Sequence, residues 1–180
     1  MTLTKTSDRY HRFSIVLHWA MLILFVAVYA SMELRELFDK GSAPREAMKS
    51  FHFMLGLLVL GLVWLRIALR LKYPAPPIQP EPSAMQEKAA KLVHLMLYAF
   101  MIGMPIAGWL VLSAAGKPIP FFGLELPALI GPNKELAGQI KEVHEAIASL
   151  GYVLIGAHAA AALYHHYFMR DNTMLRMRLR

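Results

Sequence analysis

The sequence contains no cysteine. This absence excludes disulfide bonds, iron–sulfur clusters, thiolate metal sites and haem attached covalently through cysteine. Charged residues are also scarce, at 17% of the chain, whereas a typical soluble domain has about 25%. Hydrophobic residues make up 57%, so the composition indicates a membrane protein.

Acidic residues are fewer than basic ones, since the chain has 12 Asp and Glu but 19 Lys and Arg. The basic residues flank apolar runs instead of clustering on one polar face, so we interpret them as a topology signal and expect no nucleic-acid partner. The apolar interiors of these runs contain no Asp or Glu. Their absence argues against a transport path for divalent metal ions.

Four apolar runs predict transmembrane helices at about 13–32, 51–71, 92–114 and 142–168. Each is close to the roughly 20 residues that a helix needs to cross the hydrocarbon core. The proline-rich stretch 72–83 ends the second helix. Residues 115–141 are broken by proline and glycine, and we expect them to lie at the interface as a cap. We predict one all-α domain over 1–180, an integral membrane four-helix bundle.

The distribution of lysine and arginine predicts the orientation of the bundle. Both tails and the second connection lie on one side of a four-span protein. Together they carry more Lys and Arg, including Lys5 and Arg180, than the first and third connections. The positive-inside rule therefore places both termini in the cytoplasm.

Histidine is the ionisable residue that recurs within the predicted spans. His144 and His158 lie 14 residues apart on the fourth span, which corresponds to about 21 Å along a helix and about 40° around it. His52 lies at the same depth as His144, and His18 and His94 both lie at a depth that matches His158. Two axial imidazoles at each of two depths suit two stacked haems. Without cysteine, these haems are non-covalent and b-type.

Other residues near these histidines are candidates for supporting roles. Gly151 and Gly156 leave room for a flat macrocycle against the fourth helix, although small residues also serve helix packing. Arg66 is a candidate for contact with a haem propionate or a quinone. His94 is either a structural histidine or a candidate for quinone contact, and His165 at the interface is a second candidate for that contact.

The chain resembles the bacterial cytochrome b561 family from about residue 10 to residue 177. The resemblance is carried by "SIVLHW" (14–19), "RLKYPAPP" (70–77), "HEAIASLGY" (144–152), "GAHAAAALYHHYF" (156–168) and "DNTMLRM" (171–177). It implies a dihaem protein of the bacterial inner membrane. It also implies that His18 pairs with His158 near the cytoplasmic side, and His52 with His144 near the outer side.

The resemblance further implies a function in electron transfer, with ubiquinone as acceptor. Some family members are superoxide oxidases, which pass electrons from periplasmic superoxide to ubiquinone. Lys49 and Lys141 lie three residues from His52 and His144, and we expect them to attract the superoxide anion. The alternative is a haem-bearing anchor subunit that carries electrons between a separate dehydrogenase, or another periplasmic donor, and the quinone pool.

Overall fold

The computed structural model describes residues 8–179, so Lys5 and Arg180 of the orientation argument lie outside the described residues. Four long helices dominate it: α1 (Arg12–Leu34), α2 (Ala43–Lys72), α3 (Ala84–Ala114) and α4 (Lys134–Tyr164). A π-helical turn, His165–Met169, prolongs α4, and short 3-10 turns lie at Arg35–Leu37 and Leu175–Met177. All four helices are long and apolar enough to cross a membrane, in agreement with the predicted fold class.

Helices α2, α3 and α4 begin about eight residues earlier than the apolar runs suggest. Their first turns are polar, so hydropathy alone does not reveal them. Side-chain caps mark the early starts of α3 and α4. Ser83 Oγ accepts a hydrogen bond from the Gln86 amide at 3.3 Å, and Gln86 Oε1 accepts one from the Ser83 amide at 2.8 Å. Asn133 Oδ1 accepts a hydrogen bond from the Leu136 amide at 3.1 Å at the start of α4. Both arrangements satisfy amides that the first helical turn leaves free.

The connection between α3 and α4 contains a small β-hairpin, where the sequence predicted only an irregular cap. Strand β1 (Pro120–Phe121) pairs antiparallel with β2 (Leu124–Glu125). The turn residues Phe122 and Gly123 both have positive φ, at 47° and 87°, as a tight two-residue hairpin requires. The connection is tied back to α3, because Trp109 Nε1 donates a hydrogen bond to the Pro127 carbonyl at 3.0 Å.

The helices pack in sequence order, with α1 against α2, α2 against α3, and α3 against α4. The main core cluster lies between the first three helices and consists of Leu17, Met21, Val59, Val63 and Met101. In the described part of the chain, the backbone of α4 follows α3 closely but approaches α1 and α2 at few points. A gap therefore separates α4 from the pair α1 and α2. We call it the central gap.

The two ends of the bundle differ in construction. At one end, which we call the terminal end, the Tyr10 amide donates to the Arg176 carbonyl at 3.2 Å. Trp19 Nε1 donates to the Met177 carbonyl at 2.9 Å, and the Asn172 amide donates to the Gln79 carbonyl at 3.0 Å. The opposite end carries the β-hairpin and the α1–α2 turn, and we call it the hairpin end.

Candidate functional site

Two pairs of histidine rings face each other across the central gap. His18 of α1 faces His158 of α4, with ring centroids 6.2 Å apart and ring planes at 76°. His52 of α2 faces His144 of α4, also at 6.2 Å, with planes at 75°. The structure thus brings together both pairs that share a depth in the sequence analysis, the first toward the terminal end and the second toward the hairpin end.

The distance between the two rings of each pair matches that of two imidazoles bound to one metal ion. Two imidazoles that bind one metal ion from opposite sides have centroids about 6.2 Å apart. This follows from a metal–nitrogen bond of about 2.0 Å and a nitrogen-to-centroid distance of about 1.1 Å within the ring. Both histidine pairs have this spacing. Each pair can therefore supply two axial ligands to one ion.

His94 also lies close to His158, with ring centroids 5.6 Å apart. This distance is shorter than two rings on opposite sides of one ion require. Of the two partners that depth alone leaves open for His158, His18 thus has the matching geometry. The charge of Arg66 acts on all three of these rings, so Arg66 lies beside the terminal-end pair, where an anionic group of a cofactor could meet it.

The second nitrogen of each hairpin-end ring shows how that ring can be held. His52 Nδ1 lies 3.1 Å from the Val28 carbonyl. When Nδ1 donates there, Nε2 keeps a free lone pair for a metal ion, which is the usual arrangement of a ligating histidine. His144 Nδ1 is buried, and this ring can form a hydrogen bond with the backbone of Met104. Each imidazole therefore keeps a second nitrogen that can bind a metal ion.

A cavity of about 790 Å³ surrounds the hairpin-end pair. Its volume falls within the roughly 300–1,000 Å³ typical of sites for cofactors and other small molecules. Gly56 and Gly108 are among its lining residues. A Cβ at Gly108 would lie 3.5 Å from Cε1 of His144, an ordinary van der Waals distance, so the backbone of α3 at Gly108 lies close to that ring.

The two glycines singled out on α4 have different surroundings. A Cβ at Gly156 would meet nothing within 4 Å, which leaves the room expected there. A Cβ at Gly151 would collide with the Tyr29 hydroxyl and would lie 2.5 Å from Cζ of Phe100. The space at Gly151 is thus filled by aromatic side chains and not left open for a macrocycle. The sequence analysis missed Tyr29 and Phe100, since no local pattern marks them.

Six basic and three acidic side chains line the hairpin-end cavity: Arg35, Lys40, Arg45, Lys49, Lys117 and Lys141, with Glu33, Glu36 and Glu145. Lys49 and Lys141 line it as expected, but each forms an ion pair, with Glu46 at 2.6 Å and with Glu145 at 2.8 Å. Arg35 and Arg45 both pair with Glu36. Within residues 8–179, Lys40 and Lys117 form no ion pair.

His165 lies away from the histidine pairs, at the terminal end. Its Nδ1 is 2.5 Å from Oδ2 of Asp171, a residue that the sequence analysis did not select. Burial alone would raise the pKa of Asp171, but hydrogen bonds from His165 and Thr173 outweigh it and hold that pKa below its usual value. His165 and Asp171 thus form a charge-assisted contact that fastens the end of α4 to the C-terminal segment.

The donor set of the central gap suits haem. Across the described chain, no group of three or more His, Cys, Asp or Glu side chains is placed to hold a bare metal ion. Two imidazoles per site match an iron that already has four porphyrin nitrogens and lacks only axial ligands. The residues present therefore fit a non-covalent, b-type haem.

Comparison with known proteins agrees with this chemistry. The family model described as prokaryotic cytochrome b561 matches residues 9–179. Cytochrome b561 homolog 1 of Escherichia coli K12 is 41% identical over 170 residues, covering 94% of this chain and 97% of that protein. The probable superoxide oxidase CybB of Yersinia pestis is 40% identical over 172 residues, covering 94% and 95%.

A more distant relative has the same extent. Cytochrome b561 homolog 2 of Escherichia coli K12 is 32% identical over 182 residues, covering 98% of this chain and 95% of that protein. The matched range therefore spans all four helices. The chain belongs to the prokaryotic cytochrome b561 family and is a multi-pass bacterial membrane protein that binds b-type haem and transfers electrons.

Proposed function

We propose that the chain carries electrons from superoxide at the hairpin end to ubiquinone in the membrane, through two haem sites. His52 and His144 hold one haem, and His18 and His158 hold the other. The observation that carries this proposal is the shared 6.2 Å ring separation of the two pairs. When bound, a b-type haem with two axial imidazoles supplies one-electron transfer and has no open iron position for oxygen chemistry.

The hairpin end has the charges to attract a small anion. The six basic side chains that line the cavity outnumber its three acidic ones, and positive charge at a cleft raises the encounter rate with an anion. Lys40 and Lys117 are the principal steering charges, because Lys49 and Lys141 are partly neutralised by Glu46 and Glu145. The name of the Yersinia pestis relative, a probable superoxide oxidase, supports superoxide as the anion.

The overall reaction balances without another co-reactant. Two superoxide anions lose one electron each and become two O2 molecules. One ubiquinone gains both electrons and two protons from water and becomes ubiquinol. The chain's own residues therefore have to admit an anion at one place and position a quinone at another.

The terminal end is the proposed place of the quinone. Arg66 and His94 lie beside the His18–His158 pair. The Arg66 guanidinium can donate hydrogen bonds to a quinone carbonyl or to a haem propionate, and His94 can donate one from its ring nitrogen. His165 lies farther from the His18–His158 pair and supports the quinone site by fixing the end of α4 through its contact with Asp171. The excess of basic residues in both tails and in the second connection supports a cytoplasmic location for this end and for both termini, in an inner-membrane protein.

A spectroscopic experiment tests the proposal. The full chain is produced with ample haem supply, purified in detergent, oxidised and mixed rapidly with superoxide. We expect the absorbance of reduced low-spin b haem to appear, and then to decay when ubiquinone is added. A heat-inactivated sample is the control. A chain that binds no haem contradicts the whole proposal, whereas haem that only a separate partner protein can reduce identifies the chain as an anchor subunit.

The charge argument has its own matched pair of variants. Lys117→Gln removes a charge that has no ion-pair partner, whereas Lys141→Gln removes one that is paired with Glu145. We expect Lys117→Gln to slow the reaction with superoxide more than Lys141→Gln does, and the difference to shrink at high ionic strength. A rate for Lys117→Gln equal to that of the unmodified chain would rule out Lys117 as a steering residue.

A further inference from the structure

The contact at Gly151 lies midway between the two histidine pairs. Gly151 is seven residues from His144 and seven residues from His158, so all three lie on one face of α4, with about 10 Å of helix on either side of the glycine. Gly151 is buried. Side chains that meet at Gly151 therefore lie between the two histidine pairs of the central gap.

Side chains from two other helices meet at this glycine. Tyr29 of α1 reaches across the gap, and its hydroxyl donates a hydrogen bond to the Ala148 carbonyl of α4 at 2.8 Å. The Phe100 ring of α3 comes from the other side, and Phe25 lies behind it at 6.1 Å between ring centroids. Because α4 otherwise approaches α1 at few points, this contact is a bridge across the gap. The absence of a Cβ permits it.

The bridge is connected to the histidines at the hairpin end. Tyr29 directly follows Val28, whose carbonyl is the 3.1 Å partner of His52 Nδ1. Ala148, which accepts the Tyr29 hydrogen bond, lies one helical turn after His144. A displacement of Tyr29 would therefore disturb the orientation of His52 and the position of α4 around His144. Tyr29 and Phe100 also line the cavity of this pair, so they form its inner wall.

We propose that Tyr29, Gly151 and Phe100 form a partition that separates the two haem sites and holds the hairpin-end histidines in their ligating geometry. The three are positioning residues, and the inference rests on the proposed two-site function. Glycine at 151 is required because the two rings occupy the space of any larger side chain. The partition closes the cavity of the hairpin-end pair on the side that faces the His18–His158 pair.

The test compares two glycines on the same helix. Gly151→Ala places a methyl group against Tyr29 and Phe100, whereas Gly138→Ala, at an exposed position of α4, places one where nothing lies within 4 Å. For each full-length variant, haem content is measured by the pyridine haemochrome assay. The two haem midpoint potentials are measured by optical redox titration, and low-spin signals by electron paramagnetic resonance. We expect Gly138→Ala to match the unmodified chain, and Gly151→Ala to shift the potential and resonance signal of the hairpin-end haem or to lose that haem.

A compensating variant makes the test specific. The Tyr29 hydroxyl is the atom closest to the added methyl group, so Tyr29→Phe combined with Gly151→Ala should restore part of the lost haem signal. If Gly151→Ala does not accumulate, Phe100→Leu takes its place, with Phe13→Leu on the exposed start of α1 as control. Potentials and haem content equal to those of the control overturn the partition. Absence of haem in the unmodified chain overturns the proposed function instead, so the two failures are distinguishable.

Discussion

Replacement of His158 by alanine gives the sharpest test of the paired-ligand geometry. His158 faces His18 at the terminal-end level, and 14 residues of α4, about 21 Å of helix, separate it from His144. The lost imidazole belongs to one pair only. We therefore expect haem content to fall from two per chain to one, with half of the Soret absorbance retained.

The assay is the pyridine haemochrome content per chain, combined with a redox titration that resolves the two haems. Loss of one axial ligand leaves His18 alone on that iron, and the neighbouring His94 serves as the control position. His94→Ala should keep both haems, because its 5.6 Å separation from His158 does not suit a shared ion. Two results would refute the reasoning: equal loss of both haems in His158→Ala, or as much loss in His94→Ala as in His158→Ala.

Three further outcomes follow from the contacts described above. Reversing the charge in Lys117→Glu changes the interaction with an anion at about 10 Å in water by about 0.8 kcal/mol. The rate with superoxide at low salt, measured by stopped flow, should therefore fall by about fourfold, and an unchanged rate would contradict steering. Asp171 has a lowered folded-state pKa, so its stabilising effect is present at neutral pH and is lost as the pH falls through that value. Thermal unfolding in detergent as a function of pH should accordingly show a weaker acid dependence for Asp171→Asn, and identical curves would count against the contact with His165. Ser83→Ala breaks the capping box of α3 and should lower the free energy of unfolding by about 1 kcal/mol, measured by denaturant titration beside the exposed control Ser149→Ala.

The sequence alone was sufficient to predict those parts of the fold that the membrane environment determines. Long apolar runs must form helices in lipid, because the bilayer offers no partner for backbone amides and carbonyls. The depth of each histidine follows from its place along a helix of known rise. Four spans and two facing histidine levels could thus be predicted from residue order alone.

Other features depend on contacts between distant residues and could not be read from local patterns. The rings that fill the space at Gly151 come from α1 and α3, so their meeting depends on how the helices pack. The early start of α3 escaped the hydropathy pattern, although Ser83 and Gln86 are three residues apart as in a capping box. The pairing of Lys141 with Glu145 follows the i, i+4 spacing, and attention to it would have directed the steering argument to Lys117 from the start.

The position of α4 in the chain has a consequence for biogenesis. Both histidine pairs take one ring from α4, the last of the four helices to leave the ribosome. Because chains are made and inserted from the N-terminus, neither histidine pair can form before α4 joins the first three helices in the membrane. Cofactor loading must therefore follow the synthesis of α4, and the segment after α4 then joins the terminal end through the hydrogen bonds of Arg176 with Tyr10 and of Met177 with Trp19.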